Sequence, residues 1–331
     1  MTDPVLVEIL RGPQVESAHR GAVVVTDAAG NVVFEAGDVD RAVFPRSAVK
    51  GLQALALVET GAADRLALTD AELALACSSH NGEAIHTDTA ATMLARAGRD
   101  VAALECGVHW PSYDVAARAL AAEGRTPTAI HNNCSGKHSG FICLACDAGH
   151  DPAGYLSPDH PAMRMVTERL AEMTGTTLDA RNRAADGCSI PTYAIPLRAL
   201  ARAFARFATG EGLHPDRAAA AARLRGAVAK HPMMVAGTSR FDTDVMAAMG
   251  TTVFAKGGAE GVWCAALPTL GLGVALKCDD GAGRAAEIAM AAMLLKLLPD
   301  EAAKLTPFAR RDLKNWNGIT VGAMRPAPAL A

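Results

Sequence analysis

Phe44-Pro45-Arg46-Ser47-Ala48-Val49-Lys50 marks the point where this chain passes from strand-like to helix-like sequence. Upstream, Val5 to Ile9 reads as a strand, and the segments 22–26 and 32–36 flank Ala28-Ala29-Gly30-Asn31, a hairpin signal. Downstream, Pro45 suits a first helical turn and Gly61 a C-cap. Thr69-x-x-Glu72 carries a capping-box signature and opens a short helix that ends at the loop Cys77-Ser78-Ser79-His80-Asn81-Gly82. Helical patterns continue over 87–97, 115–122, 137–148, 161–173, 196–208 and 215–229.

Strand character returns at Thr251. The segments 252–255, 261–267 and 273–278 predict an antiparallel meander with Lys256-Gly257-Gly258 at its first turn. A long helix over 284–298 follows, and 319–321 supplies a last strand. The expected fold is α/β of the α+β kind: an antiparallel sheet built from both termini, flanking helices and a helical insertion. Residues 1–331 form one unit in this reading, with 1–45 plus 250–331 holding the sheet and 46–249 mainly helical.

Composition bounds the function. Half the residues are apolar and 20% are charged, as in a well-buried globular protein. The net charge of −3 is spread evenly, so no electrostatic case exists for nucleic acid or an anionic membrane surface. The N-terminal residues Met1-Thr2-Asp3-Pro4 show no secretory pattern, and the apolar run 285–298 is too short to span a bilayer. A cytoplasmic location is the default expectation, where eight cysteines act as thiols or ligands. Only eight of the 32 basic residues are lysine, yet Lys50, Lys137 and Lys256 sit among small and apolar neighbours. A buried lysine can lose its proton, whereas arginine cannot.

Ser47-x-x-Lys50, Ser79-x-Asn81 and Lys256-x-Gly258 follow one another in the order S-x-x-K, S-x-N, K-x-G of serine acyl-transfer sites. Residues three apart share a helix face, so the Ser47 hydroxyl and the Lys50 amine can meet. The first helical turn favours a developing alkoxide. Holding Lys50 neutral at pH 7 costs about 5 kcal/mol, which burial or a second cation must supply. Lys256 is that second cation, or the partner of Ser79 in a parallel pair. A surface helix with an incidental serine and lysine stays open as the plain alternative for S-x-x-K alone. For Ser79-His80-Asn81 the alternative is a polar turn capped by its own side chains.

Cys134 and Lys137 share a face at the start of another helix, with Asn133 a candidate N-cap. A thiol in that position beside a cation has a depressed pKa. Asp186-Gly187-Cys188 places a second cysteine in a turn-rich loop. The spacing is not a standard zinc pattern, and a redox pair, two unrelated thiols or a metal site all remain open. Asp186 suits a substrate ammonium or an Asx-turn. Cys143-x-x-Cys146 lies in an apolar helix and reads as core, as do Cys77, Cys106, Cys264 and Cys278.

Taken together, these residues resemble the class 3 (Rhizobium etli-type) L-asparaginases, the asparaginase II family, over almost the full length. The resemblance rests on Phe44-Pro45-Arg46-Ser47-x-x-Lys50, Ser79-His80-x-Gly82-Glu83, Asn133-Cys134-Ser135-Gly136-Lys137-His138, Asp186-Gly187-Cys188 and Lys256-Gly257-Gly258-Ala259-Glu260-Gly261. It implies a fold like serine β-lactamases and glutaminases, a homodimer, and hydrolysis of L-asparagine to L-aspartate and ammonia. It implies Ser47 as nucleophile with Lys50 as base, and Ser79 with Lys256 as a second pair. Arg46, His80, Asn81 and Asp186 are the expected substrate-binding residues. One zinc ion per subunit, held by Cys134, Lys137 and Cys188, is implied as an organiser rather than a generator of the nucleophile. Rival readings are a glutaminase or other serine amidohydrolase, a penicillin-recognising enzyme, and a non-catalytic zinc-stabilised amino-acid-binding protein.

Overall fold

The computed structural model describes residues 2–330, so Met1 and Ala331, the ends of the expected single unit, lie outside it. The chain divides into two compact units. The first comprises the chain up to Ala48, Ala194–Ala208, and the chain from Ala255 onward. The second comprises Val49–Tyr193 and Thr209–Phe254.

The first unit is built on an eight-stranded antiparallel sheet. Its order is Arg311–Lys314, Thr320–Pro326, Val5–Arg11, Gln14–Asp27, Leu272–Cys278, Val262–Leu267 and Phe254–Gly258, with Val32–Ala36 paired to Gln14–Asp27. Strands from both termini therefore lie side by side, as the sequence predicts. The long strand Gln14–Asp27 changes partners midway: its first half pairs with Val5–Arg11 and its second with Leu272–Cys278 and Val32–Ala36. Gly21 sits at that change, where a Cβ would come within 2.1 Å of the Lys277 carbonyl oxygen. Only glycine permits so close a backbone approach.

Every residue of Val262–Leu267 is buried. A strand apolar at every position is covered on both faces. Helix Gly283–Leu297 packs against four of the strands, and helix Leu197–Thr209 lies on Gly273, where a Cβ would come within 2.0 Å of Ala201 O. One expectation is corrected here, and one strand is added. Lys256-Gly257-Gly258 belongs to strand Phe254–Gly258, and the chain reverses later, at Glu260 and Gly261, whose φ angles of 63° and 66° supply the left-handed turn. Arg311–Lys314 forms an edge strand that the sequence hides, because its charged, solvated residues carry no apolar alternation.

In the second unit the organising element is helix Ser135–Asp147, buried without a break from Ser135 to Ala145. A helix buried all round belongs in a core, and here its polar first half, Ser135, Lys137, His138 and Ser139, is buried with the rest. Gly136 and Gly140 let neighbours come close: a Cβ on Gly136 would meet Leu75 O at 2.5 Å, and one on Gly140 would touch Ala76 and Leu57. Helix Asp70–Ala76 thus lies directly against the central helix. Its start carries the expected capping box, with Thr69 N–H donating to Glu72 Oε2 at 2.7 Å and Glu72 N–H to Thr69 Oγ1 at 3.3 Å. Its end delivers Ser78 and Ser79 to the first turn of the central helix.

The continuous helix expected from Pro45 is instead a 3-10 turn, Arg46–Val49, followed by short helices Lys50–Gln53 and Leu55–Glu59. Arg46 has φ of 50°, in the left-handed region, so regular helix cannot begin at the proline. Arg217 grips Glu59 through two bonds of 2.9 Å and docks helix Pro215–Lys230 on Leu55–Glu59. Among the described residues no helix is long and apolar enough to cross a membrane.

Candidate active site

Lys50 is fully buried in the helical unit. Its Nζ donates to Ser78 O at 2.5 Å and lies 2.8 Å from Ser79 Oγ and 3.0 Å from Cys134 Sγ. Ser79 is held in turn by its backbone N–H, which donates to Val235 O at 2.8 Å. Lys137, one helical turn past Cys134, donates from Nζ to Cys188 Sγ at 3.0 Å. The two thiols perturb one another's protonation. Ser79, Lys50 and Cys134 form one hydrogen-bonded group and Lys137 and Cys188 another, assembled from four separate segments.

The charges in this chain are specific. The Cys188 hydrogen bond, with Lys137 and Lys50 nearby, holds Cys134 well below the usual thiol value against the opposing pull of burial. Cys188 is pushed up, first by its bond to Cys134 and then by burial. Burial alone would lower Lys137, but the sulfurs of Cys134 and Cys188 and the Asp186 carboxylate outweigh it and hold the ammonium above its ordinary value. Cys106 is raised to about 12 by burial and then by the Cys134 charge.

Asp186 and Cys188 sit in the loop between the paired strands Arg183–Ala185 and Pro191–Tyr193. Ser189 takes a φ of 74° there, and its N–H donates to Asp186 O at 2.8 Å. Asp186 Oδ1 accepts from Gly187 N–H at 2.8 Å.

His80 and Asn81 have their polar atoms engaged within the unit. His80 is completely buried; its Nδ1 accepts from Gly82 N–H at 3.0 Å, which leaves Nε2–H to donate to Ser135 Oγ at 2.9 Å. Burial, then His86 and Lys50, keep this ring neutral. Asn81 Oδ1 accepts from Ser112 Oγ and Arg240 Nη1, both at 3.2 Å, while Nδ2 donates to Thr238 O at 3.0 Å. Glu83 binds the same loop through Thr238 N–H and Oγ1, at 2.8 and 2.7 Å. Ser135, Ser112, Thr238 and Arg240 escaped the sequence reading because they act across long separations with no local motif.

Ser47, Arg46 and Lys256 belong to the sheet unit. Ser47 lies in the 3-10 turn, partly exposed, directly after left-handed Arg46. Strand Phe254–Gly258 runs against this turn: a Cβ on Gly258 would meet Pro45 O at 2.6 Å, Ala48 N at 3.0 Å and Ser47 N at 3.3 Å. Gly258 is therefore glycine because it abuts the serine turn. Lys256, two residues earlier and 1% exposed, donates to Gly257 O at 2.8 Å.

No cluster of three His, Cys, Asp or Glu that could hold a metal occurs among the described residues. Cys134, Cys188 and Lys137 nonetheless fit one ion as a mixed set: two buried sulfurs whose protonation is linked, with an amine 3.0 Å from one of them. Two thiolates and one neutral nitrogen are three ligands that zinc accepts, with a fourth position open.

Residues 7–326 match the L-asparaginase II family, and the chain belongs to that family. No curated protein matches it. Among solved structures the chain is similar to the native form of Mglu, at 18% identity and a TM-score of 0.38, covering 85% of this chain and 64% of that one. It therefore spans somewhat under two thirds of Mglu's length. It is also similar to a β-lactamase from Mycobacterium bovis, at 14% identity and a TM-score of 0.36, covering 87% of this chain and 95% of the other.

Proposed function

We propose that this protein is an L-asparaginase, a serine amidohydrolase that converts L-asparagine to L-aspartate and ammonia. The observation that carries the reading is a fully buried lysine amine 2.8 Å from a serine hydroxyl, in a member of the L-asparaginase II family. An amine kept from water is the kind of base that a serine nucleophile requires.

Ser47 precedes Lys50 by three positions, and its Oγ attacks the side-chain amide carbon while Lys50 takes the hydroxyl proton. The new O–C bond forms, the C–N bond breaks, and the proton returns to the departing nitrogen, so that ammonia leaves an aspartyl ester. Water, activated by the same amine, then cleaves the ester and frees aspartate. Ser79 keeps the Lys50 amine aimed. Arg46 and Asp186 carry the charges that complement the carboxylate and ammonium of a free amino acid. Cys134, Lys137 and Cys188 would hold a zinc ion, which when bound supplies a fixed positive centre that organises the substrate-binding residues. Lys137 must give up its proton for that.

An ammonia-release assay on asparagine and glutamine tests the reading, with Ser47→Ala and Ser79→Ala alongside. Asparagine is expected to be the better substrate, by the roughly 1–3 kcal/mol that one methylene allows. Ser47→Ala should release no ammonia while still melting cooperatively. Absence of ammonia from either amide with the intact protein would overturn the proposal and favour an amino-acid-binding role.

A further inference from the structure

Residues 78–83 join helix Asp70–Ala76 to helix Ala84–Arg96 and take no regular secondary structure. Helical hydrogen bonds therefore do not fix Ser79, and its place beside Lys50 depends on what the loop is bonded to. His80 N–H donates to Asn133 O at 3.0 Å, and Ser79 N–H donates to Val235 O at 2.8 Å. Val235 follows the 3-10 turn Pro232–Met234 and opens an irregular stretch in which Gly237 and Ser239 have φ of 102° and 59°. His86 Nε2 donates to Met233 O at 2.9 Å, so bonds to residues 233–240 run from Ser79 through Asn81 to the start of the next helix. The two stretches meet tightly. A Cβ on Gly237 would come within 2.4 Å of Glu83 Oε1 and 2.9 Å of both Asn81 Nδ2 and His86 Cε1.

Glu83 supplies the strongest tie between them. Its Oε1 accepts from Thr238 N–H at 2.8 Å and its Oε2 from the Thr238 hydroxyl at 2.7 Å, a two-armed, charge-assisted bond. Glu83 is the N-cap residue of helix Ala84–Arg96, yet its side chain makes no cap bond. An N-cap carboxylate ordinarily accepts from the first helical N–H groups. Here both oxygens are turned to Thr238 instead. Burial pulls the Glu83 carboxyl upward, but the Thr238 bonds outweigh it and hold the group below its ordinary value. Thr238 lies three residues past Val235, so the fork also steadies the carbonyl that receives the Ser79 N–H.

Resting on the amidohydrolase reading, we propose that Glu83 is a positioning residue, holding segment 233–240 on the Ser79 loop so that the Ser79 hydroxyl stays on the Lys50 amine. It acts through Thr238, Val235 and Ser79 in turn, and no bond forms or breaks at Glu83 itself. A neutral amide can bridge the same two atoms, its oxygen on Thr238 N–H and its NH2 donating to Thr238 Oγ1. Glu83→Gln therefore keeps the fork and Glu83→Ala removes it. Thr238→Val removes the hydroxyl arm alone, and Thr238→Ser keeps it.

The test measures these four variants beside the parent, all full-length and metal-loaded. Ammonia release from asparagine gives kcat and KM, and amide hydrogen exchange of the peptide containing Ser79 is followed by mass spectrometry. In Glu83→Ala the Ser79 amide is expected to exchange about tenfold faster, with helix Ser135–Asp147 unchanged as the internal control. There kcat should fall by about tenfold or more, the cost of a displaced catalytic group, with KM within about threefold of the parent. Thr238→Val should lose less, while Glu83→Gln and Thr238→Ser stay near the parent. A purely structural glutamate would not give this split between kcat and KM, nor its rescue by the amide. Unchanged Ser79 exchange in Glu83→Ala would overturn the proposal, as would faster exchange with kcat near the parent's or with the loss confined to KM. Should Glu83→Ala fail to fold, equal kcat in Thr238→Val and Thr238→Ser would overturn it. Absence of ammonia from the intact protein would strike the amidohydrolase reading instead, and exchange would still decide whether Glu83 holds the Ser79 loop.

Discussion

Lys50 Nζ lies 2.8 Å from Ser79 Oγ and 3.0 Å from Cys134 Sγ, so one buried amine joins the serine machinery to the thiol pair. The two clusters that look independent in the sequence share a residue. Disturbing either therefore acts on the other through Lys50.

Replacing Lys50 by methionine should lower ammonia release from asparagine at least about a hundredfold, the usual worth of a positioned general base. Lys50→Arg should be no better, because a guanidinium keeps its proton at any working pH. Steady-state kinetics with thermal melts of both variants check this. Near-normal turnover in Lys50→Arg would remove the base from the scheme.

Gly258→Ala should disturb catalysis more than stability. The added methyl would press on Pro45 O at 2.6 Å and Ala48 N at 3.0 Å, both backbone atoms that cannot swing aside. Overpacking of this kind costs about 1–3 kcal/mol. A displacement of the Ser47 turn by about 1 Å can cost on the order of a hundredfold in kcat. Denaturant titration beside kcat measurement separates the two effects.

Stability should fall as the solution is acidified below about pH 6.5. His80 and His138 are held well below the ordinary imidazole value, chiefly by burial. His86 and His131 are lowered as well, again chiefly by burial. Each ring is neutral in the folded protein and protonated in the unfolded chain, so the unfolded chain binds more protons. The stability is present above about pH 6.5 and is lost from there down to the depressed folded values, at up to ~1.4 kcal/mol per pH unit for each ring. Urea midpoints at pH 7.5, 6.5 and 5.5 measure it, and a flat profile would contradict neutral burial.

Cys188→Ser should cost the protein its zinc at nearly unchanged fold. Metal analysis after dialysis is expected to find about one equivalent in the parent and far less in the variant, since serine is a poor replacement for a thiolate ligand. Zinc uptake by the parent should also release protons, part of them from Lys137. Equal metal content in both proteins would argue that Cys134, Lys137 and Cys188 serve another purpose.

Much of the architecture was legible because it is periodic or local. Val262–Leu267 and Leu272–Cys278 announce themselves as apolar runs between turn residues. The Thr69–Glu72 capping box needs only four neighbouring residues and is present as predicted. The apolar run Phe141–Cys146 marks the second half of helix Ser135–Asp147 as buried, whereas the burial of Ser135, Lys137, His138 and Ser139 in its first half was not legible. Boundaries that depend on a single backbone angle were not legible. The left-handed φ of Arg46 breaks the expected helix, and those of Glu260 and Gly261 move the turn beyond Gly258.

The amino-acid order was enough to establish which chemical groups are present, three lysines among small and apolar residues, two serines at motif spacing and two separated cysteines, together with many of the strands and helices that carry them. Tertiary packing decided which of these groups touch. Lys50 reaches Ser79 and Cys134 because Gly136 admits Leu75 at backbone distance, bringing two helix ends together across 55 positions of chain from Ser79 to Cys134. Hydrogen bonding acts over about 3 Å, whereas sequence patterns extend only a few residues along the chain. A contact between distant segments leaves no periodic trace, and only the packed structure reveals it.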